Sequence, residues 1–249
     1  MRGDRPVVIV PTYNERENLP TLVEQLLRTP TLQIMVVDDA SPDGTGNTAD
    51  ELAAGSRGRV SVMHRSGPRG LGLSYIEGMR EALRMGATEI CQMDADLSHN
   101  PADVARLLAA VTDADLAIGS RYVEGGRIEN WPLHRRLLSA FANRYIRQIT
   151  KIHTNDCTSG FRCWRREALE RLPLERIVSD GYALMVELLW EAQVAGCRIA
   201  EVPITFVERR EGTSKLSWRV VGESVVLPWR LAARPRVRGR SPTPGASGS

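Results

Sequence analysis

The chain has 249 residues, 42% of them hydrophobic, which is enough to bury the core of one large α/β domain. Net charge is only +3, but Arg209 to Ser249 carries nine basic and two acidic residues against 24 and 28 in the rest, so an anionic partner is expected near the C-terminus: membrane surface, nucleic acid or phosphorylated substrate. Four cysteines without C-x-x-C pairing argue against a disulfide framework or zinc site and fit a reducing compartment, and neither a signal peptide nor an apolar run of about 20 residues is present.

Along the first two-thirds, short β-branched runs alternate with longer amphipathic segments, which predicts a mostly parallel, Rossmann-like sheet with helices on both faces. The first run, Val7–Val10, leads into Pro11-Thr12-Tyr13-Asn14-Glu15. Pro11 fixes that loop, Tyr13 offers a face for a base, and Glu15 can accept hydrogen bonds. A helix is expected from near Glu15, with Asn14 as its N-cap. The second run, Ile34–Val37, is followed by Asp38-Asp39-Ala40-Ser41-Pro42-Asp43-Gly44. Both acids are expected at the ligand edge, with turn chemistry the alternative for each, and Asp39 can accept from a base or ribose. Gly44–Ala49 matches G-x-G-x-x-A, but the dinucleotide fingerprint turns directly off a first strand, so a dehydrogenase is disfavoured. Further strands are expected at Arg59–Met63, Glu89–Met93 and Asp115–Gly119, with helices from near Thr45, Leu73 and Pro101, the last capped by Asn100.

Asp94-Ala95-Asp96 directly follows the fourth strand, which places two carboxylates at the carboxyl edge of the sheet, where open α/β folds bind ligands. Carboxylates at i and i+2 can hold Mg2+ or Mn2+, a hard cation that takes its remaining ligands from water and substrate phosphates. Asp113-Ala114-Asp115 repeats the tripeptide before a strand, at the opposite edge, where a solvated turn is expected.

Past Arg121 the pattern loosens. Arg121 follows the fifth strand and can face phosphate. Helices are expected at Arg135–Lys151 and Tyr182–Ala195, with a β-rich stretch at Ile199–Val207. Arg135–Lys151 interleaves Leu137, Leu138, Phe141, Tyr145, Ile146 and Ile149 with arginines; it reads either as a helix lying on an anionic bilayer or as one packed on the domain with a solvated basic face. Arg209 and Lys215 flank Gly212-Thr213-Ser214, a loop able to close over a diphosphate. None of His64, His99, His134 and His153 has ligand spacing, and none is assigned a catalytic role. Residues 1–234 are expected to form the domain and 235–249, rich in Arg, Pro, Gly and Ser, a disordered tail. That tail lacks the interleaved aromatics of a nucleic-acid binder.

Six ordered motifs, Pro11–Pro20, Asp38–Thr45, Asp94–His99, Gly119–Tyr122, Thr158–Arg162 and Glu201–Ile204, resemble family 2 glycosyltransferases of the GT-A fold, and within them polyprenol (dolichol) phosphate mannose synthases. The resemblance implies inverting transfer of mannose from GDP-mannose to polyprenyl phosphate. It implies donor contacts from Pro11, Tyr13, Glu15, Val37 and Asp39, metal contacts around Asp94, Ala95 and Asp96, phosphate contacts from Arg121, Arg209 and Lys215, and acceptor contacts from Arg135 and Ser139. It also implies peripheral association with the cytoplasmic face of a membrane, with or without a separate anchoring protein. Two alternatives stay open: a UDP-glucose-dependent transferase acting on the same lipid, and a non-catalytic nucleotide-sugar-binding membrane module.

Overall fold

The computed structural model describes residues 5–177, 179–208 and 218–234, with side chains of the last segment from residue 225 onward. Arg209, Lys215 and the expected tail at 235–249 lie outside the described residues. In chain order the elements are β1 Pro6–Thr12, α1 Leu19–Leu26, β2 Gln33–Asp38, α2 Thr45–Gly55, β3 Val60–His64, α3 Leu71–Arg84, β4 Glu89–Gln92, α4 Asp103–Ala110 and β5 Leu116–Ser120. They continue with β6 Arg127–Glu129, α5 Leu133–Thr150, β7 Arg162–Arg165, α6 Arg166–Leu169, α7 Gly181–Val194, β8 Ile199–Pro203, β9 Thr205–Val207 and α8 Trp218–Ala233.

Seven strands form one sheet in the order β3-β2-β1-β4-β7-β5-β8. All pairings are parallel except those of β7, which runs antiparallel to β4 and β5. Every residue of β1 is buried, and its side chains alternate between two cores, as a strand covered on both faces requires. Val7 and Ile9 join Tyr75 and Met79 of α3 and Leu184 and Leu188 of α7 on one face. Val8 and Val10 join Leu19 and Leu22 of α1 and Val104 and Leu107 of α4 on the other. β6 and β9 form a separate parallel pair.

Several boundaries depart from the sequence expectations. α1 begins at Leu19, with Asn18 and not Asn14 in the cap position. The reason is that 14–16 is stitched to the second loop: Asn14 N–H donates to Ser41 Oγ, Glu15 N–H to Thr45 Oγ1 and Arg16 N–H to Asp43 Oδ2, which leaves Asn14 at φ 60°. Near Pro101 the helix starts at Asp103, and Asn100 acts earlier, its Oδ1 accepting from Ala102 N–H at 3.1 Å. The stretch Ile199–Val207 divides at Ile204 into β8 on the main sheet and β9 on the small one. β7 was not expected at all. Its Arg162 is fully buried and donates to the carbonyls of Cys157, Ser159 and Met185, an inward-facing charge that hides the strand pattern.

Candidate active site

The carboxyl ends of β1, β2, β4 and β5 meet at one edge. A cavity of about 510 Å3 opens there, lined by Pro11, Tyr13, Glu15, Asp39, Asp94, Ala95, Asp96 and Arg135 among others. That size suits a small-molecule ligand of nucleotide-sugar dimensions. A narrower recess of about 50 Å3 adjoins it, sharing Asp94, Asp96 and Arg135 and adding His99, Arg121, Trp131 and Phe206.

On the β1–β2 side the two acids of the second loop have separate roles. Asp38 is turn chemistry, accepting from Thr12 Oγ1, Ser41 N–H and Ser41 Oγ–H, and it does not line the cavity. Asp39 does. Its Oδ1 accepts from Arg65 and its Oδ2 from Gly70 N–H at 2.8 Å. Arg65 in turn donates to Glu77 from two nitrogens, so Asp39 is held in place on the wall. Tyr13 is met by Arg69, which donates to its hydroxyl and lies 5.0 Å from the ring centroid. The Val37 side chain is fully buried in the core with Ile9 and Met35 and is not on the cavity wall, so its expected donor contact falls to its backbone.

Asp94 and Asp96 extend from the end of β4 into both spaces. Asp94 Oδ1 accepts from Tyr75 O–H at 2.8 Å. Burial, then the neighbouring Asp94 carboxylate, pushes the Tyr75 phenol well above its ordinary value, so it donates at every physiological pH. Asp96 Oδ1 accepts from Ser98 N–H at 3.0 Å. Asp94 and Asp96 offer two hard oxygen donors at this edge, and among the described residues no group of three or more His, Cys, Asp or Glu stands ready to enclose a metal. That donor set fits Mg2+ or Mn2+. Beside them Ser98 Oγ and His99 Nδ1 are buried with no hydrogen-bond partner among the described residues. Burial drives the His99 imidazole down to about 4, against the pull of Asp96, so the ring is neutral. His99 therefore belongs to the site, although spacing gave it no role. The second Asp-Ala-Asp sits before β5, where Asp115 accepts from Arg198 N–H and from Arg171.

On the far side Arg121 is held by Asp156 through Nε and Nη2, each at 2.7 Å. Burial raises the Asp156 carboxyl, and the charge and hydrogen bonds of Arg121 outweigh it, leaving the group below its ordinary value. Arg121 thus reaches the recess wall beside Asp94 and Asp96 as one half of an ion pair. Arg135 pairs with Glu208 and stands 4.2 Å from the Trp131 centroid. Ser139, one helical turn on, is half-buried and off both walls, its carbonyl accepting from Asn143. Asp180, Gly181 and Tyr182 complete the cavity; the sequence signal for them was an acid before the first turn of α7, where Asp180 accepts from Gly181 N–H and from Gly72 N–H.

Residues 7–173 match the model of glycosyl transferase family 2. The chain is 48% identical to the polyprenol monophosphomannose synthase of Mycolicibacterium smegmatis, over 94% of this chain and 91% of that one. It is 46% identical to the undecaprenyl-phosphate mannosyltransferase of Micrococcus luteus, over 92% and 96%. Among solved structures it is similar, with a TM-score of 0.55 and 18% identity over 92% of this chain and 73% of the other, to a mannosyltransferase from Pyrobaculum calidifontis in complex with GDP-Man and Mn2+.

Proposed function

Because the chain belongs to glycosyl transferase family 2 and has the GT-A fold, we propose that it moves mannose from GDP-mannose to a polyprenyl phosphate, with inversion at the anomeric carbon. The observation that carries this reading is the convergence of the Pro11–Glu15 loop, Asp39 and the Asp94/Asp96 pair on one cavity, in a chain similar to polyprenyl-phosphate mannosyltransferases along nine-tenths of its length.

The acceptor phosphate is already an anion at neutral pH, so its oxygen can attack the anomeric carbon without a general base. The bond from that carbon to the donor's β-phosphate oxygen breaks, and its electron pair leaves with GDP. Asp94 and Asp96 would hold a divalent cation, which when bound supplies charge neutralisation at the departing diphosphate. Tyr13 and Asp39 orient the nucleoside, with Arg65 fixing Asp39. Arg135 faces the acceptor phosphate from the recess. Arg209 and Lys215, outside the described residues, add positive charge at the leaving group.

The same reading puts the protein on the cytoplasmic face of a membrane. No helix among the described residues is long and apolar enough to cross one, whereas α5 exposes Leu133, Leu137, Leu138 and Phe141 to 61–68%. Free Cys91, Cys157, Cys163 and Cys197 agree with a reducing compartment. The test is incubation of the purified chain with labelled GDP-mannose or UDP-glucose, a polyprenyl phosphate and Mn2+. Label from GDP-mannose entering the lipid fraction supports the reading; transfer from UDP-glucose alone, or from neither donor, refutes it.

A further inference from the structure

One helix touches three separate parts of the cavity. At the start of α3, Gly70 N–H donates to Asp39 on the nucleotide side at 2.8 Å and Gly72 N–H to Asp180 at the head of α7 at 2.5 Å. One turn further on, Tyr75 O–H donates to Asp94 at 2.8 Å. The packing leaves no room for slack at this junction, since a Cβ on Gly72 would stand 2.5 Å from the carbonyl oxygen of Ser179. Tyr75 itself is fully buried, its ring among Ile9, Val37 and Met79 in the core below the sheet edge.

A buried phenol needs an acceptor, and the acceptor here is one of the two carboxylates read above as cation ligands. Gly160 lies beside the same carboxylate, where a Cβ would stand 3.5 Å from Oδ2 and 3.8 Å from Oδ1, both ordinary contact distances. The carboxylate, which lines the cavity, is held at one oxygen by a buried core residue. We propose that Tyr75 is a positioning residue: it holds the Asp94 carboxylate in the orientation in which it would ligate the divalent cation of the donor complex. This rests on the reading of Asp94 as a metal ligand. Groups that orient metal ligands characteristically govern affinity by about 10- to 100-fold.

The experiment is titration of Mn2+ into wild-type chain and Tyr75→Phe in the presence of GDP, followed by the loss of the free Mn2+ electron paramagnetic resonance signal. Phe keeps the ring and its packing and removes only the donor. Mn2+ binding is expected to weaken about tenfold or more, with an equal rise in the Mn2+ concentration giving half-maximal transfer, while kcat at saturating Mn2+ and GDP binding in EDTA stay near wild type. A folded Tyr75→Phe chain that binds Mn2+ within about twofold of wild type overturns the proposal, as does an equal loss of GDP binding in EDTA, which would mark a structural effect. Tyr75→Met, a flexible apolar side chain, removes the same donor and serves if Tyr75→Phe does not fold. It should weaken Mn2+ binding likewise, and unchanged affinity overturns the proposal. A wild-type chain that takes up no Mn2+ with GDP overturns both this proposal and the metal reading; uptake by wild type and variants alike overturns this proposal alone.

Discussion

Arg121 and Asp156 form a two-bond ion pair in which the arginine side chain is 5% exposed and the carboxylate not at all. Arg121 forms part of the wall of the recess beside Asp94 and Asp96, and its backbone N–H donates to the same Asp156 carboxylate. Each charge is the first electrostatic partner of the other, with Thr158 accepting from Arg121 and Arg162 adding its field at Asp156.

Removing one partner leaves a buried charge uncompensated, which costs about 3–5 kcal/mol. Asp156→Asn should lower the free energy of urea unfolding at pH 7 by about that amount. Arg121→Lys should recover little, because an ammonium cannot reproduce the forked contact. A loss below about 1 kcal/mol in Asp156→Asn would show that water or another group takes over.

Transfer should collapse when the diphosphate side loses a ligand. Asp96→Ala removes one of the two carboxylates read as cation ligands and the acceptor of Ser98 N–H. We expect a fall of at least about 100-fold in kcat, corresponding to some 2.7 kcal/mol of transition-state stabilisation. Turnover comparable to wild type with GDP-mannose and polyprenyl phosphate would remove Asp96 from the metal site.

His99 makes stability depend on pH. Its folded value of about 4 lies below the ordinary 6.5, so in the interval between them the unfolded chain binds the extra proton. Stability is complete above about pH 6.5 and is lost as pH falls toward 4, by about 3 kcal/mol. Asp156, held below 3.8, begins to weaken the fold only under that window. Urea midpoints of metal-free protein between pH 7 and 4 should show the decline, and His99→Phe, an apolar ring between Phe161 and Phe206, should flatten it. A wild-type curve that is level across the interval would contradict the buried neutral ring.

What could be read without coordinates divides along physical lines. β1 and β2 were legible because buried parallel strands are near-continuous apolar, β-branched runs, β4 and β5 as shorter apolar stretches between amphipathic segments, and the loops carry their chemistry in sequence order: Pro11 to Glu15, Asp39 and Asp94 to Asp96 all reach the cavity. The repeated Asp-Ala-Asp was separable because one copy follows a strand and the other precedes one. Tyr75, Asp180 and Glu208 could not be read this way. Each enters the site from an element remote in sequence, Tyr75 from a helix whose apolar face disguises its hydroxyl as core. His99 was passed over because ligand spacing was the wrong criterion for a ring placed between two phenylalanines. The pairing of Arg121 with Asp156 bridges 35 residues, and only the antiparallel β7 between β4 and β5 brings its loop there.

The last prediction concerns the membrane. Leu133, Leu137, Leu138 and Phe141 fall on one stripe of α5, and α8 extends it with Val225, Val226 and Trp229, exposed to 46–62%. The two helices are tied where Tyr145 O–H donates to the Val225 carbonyl and Trp229 Nε1–H to the Tyr145 hydroxyl, both at 2.9 Å. Exposed Arg136, Arg144, Arg147 and Arg230 accompany this surface, matching an anionic headgroup layer. Arg135, on the same helix, lines the cavity, so docking through the stripe would bring the acceptor phosphate to the site with its isoprenoid chain still in lipid. Burying each of these side chains is worth about 1.5–3 kcal/mol, so Leu137→Ser with Phe141→Ser should weaken binding to phosphatidylcholine/phosphatidylglycerol vesicles by about 100-fold or more. Turnover of polyprenyl phosphate presented in vesicles should fall in step, while GDP binding stays unchanged because neither residue lines the cavity. If the double variant floats with vesicles as wild type does, this face is not the membrane contact.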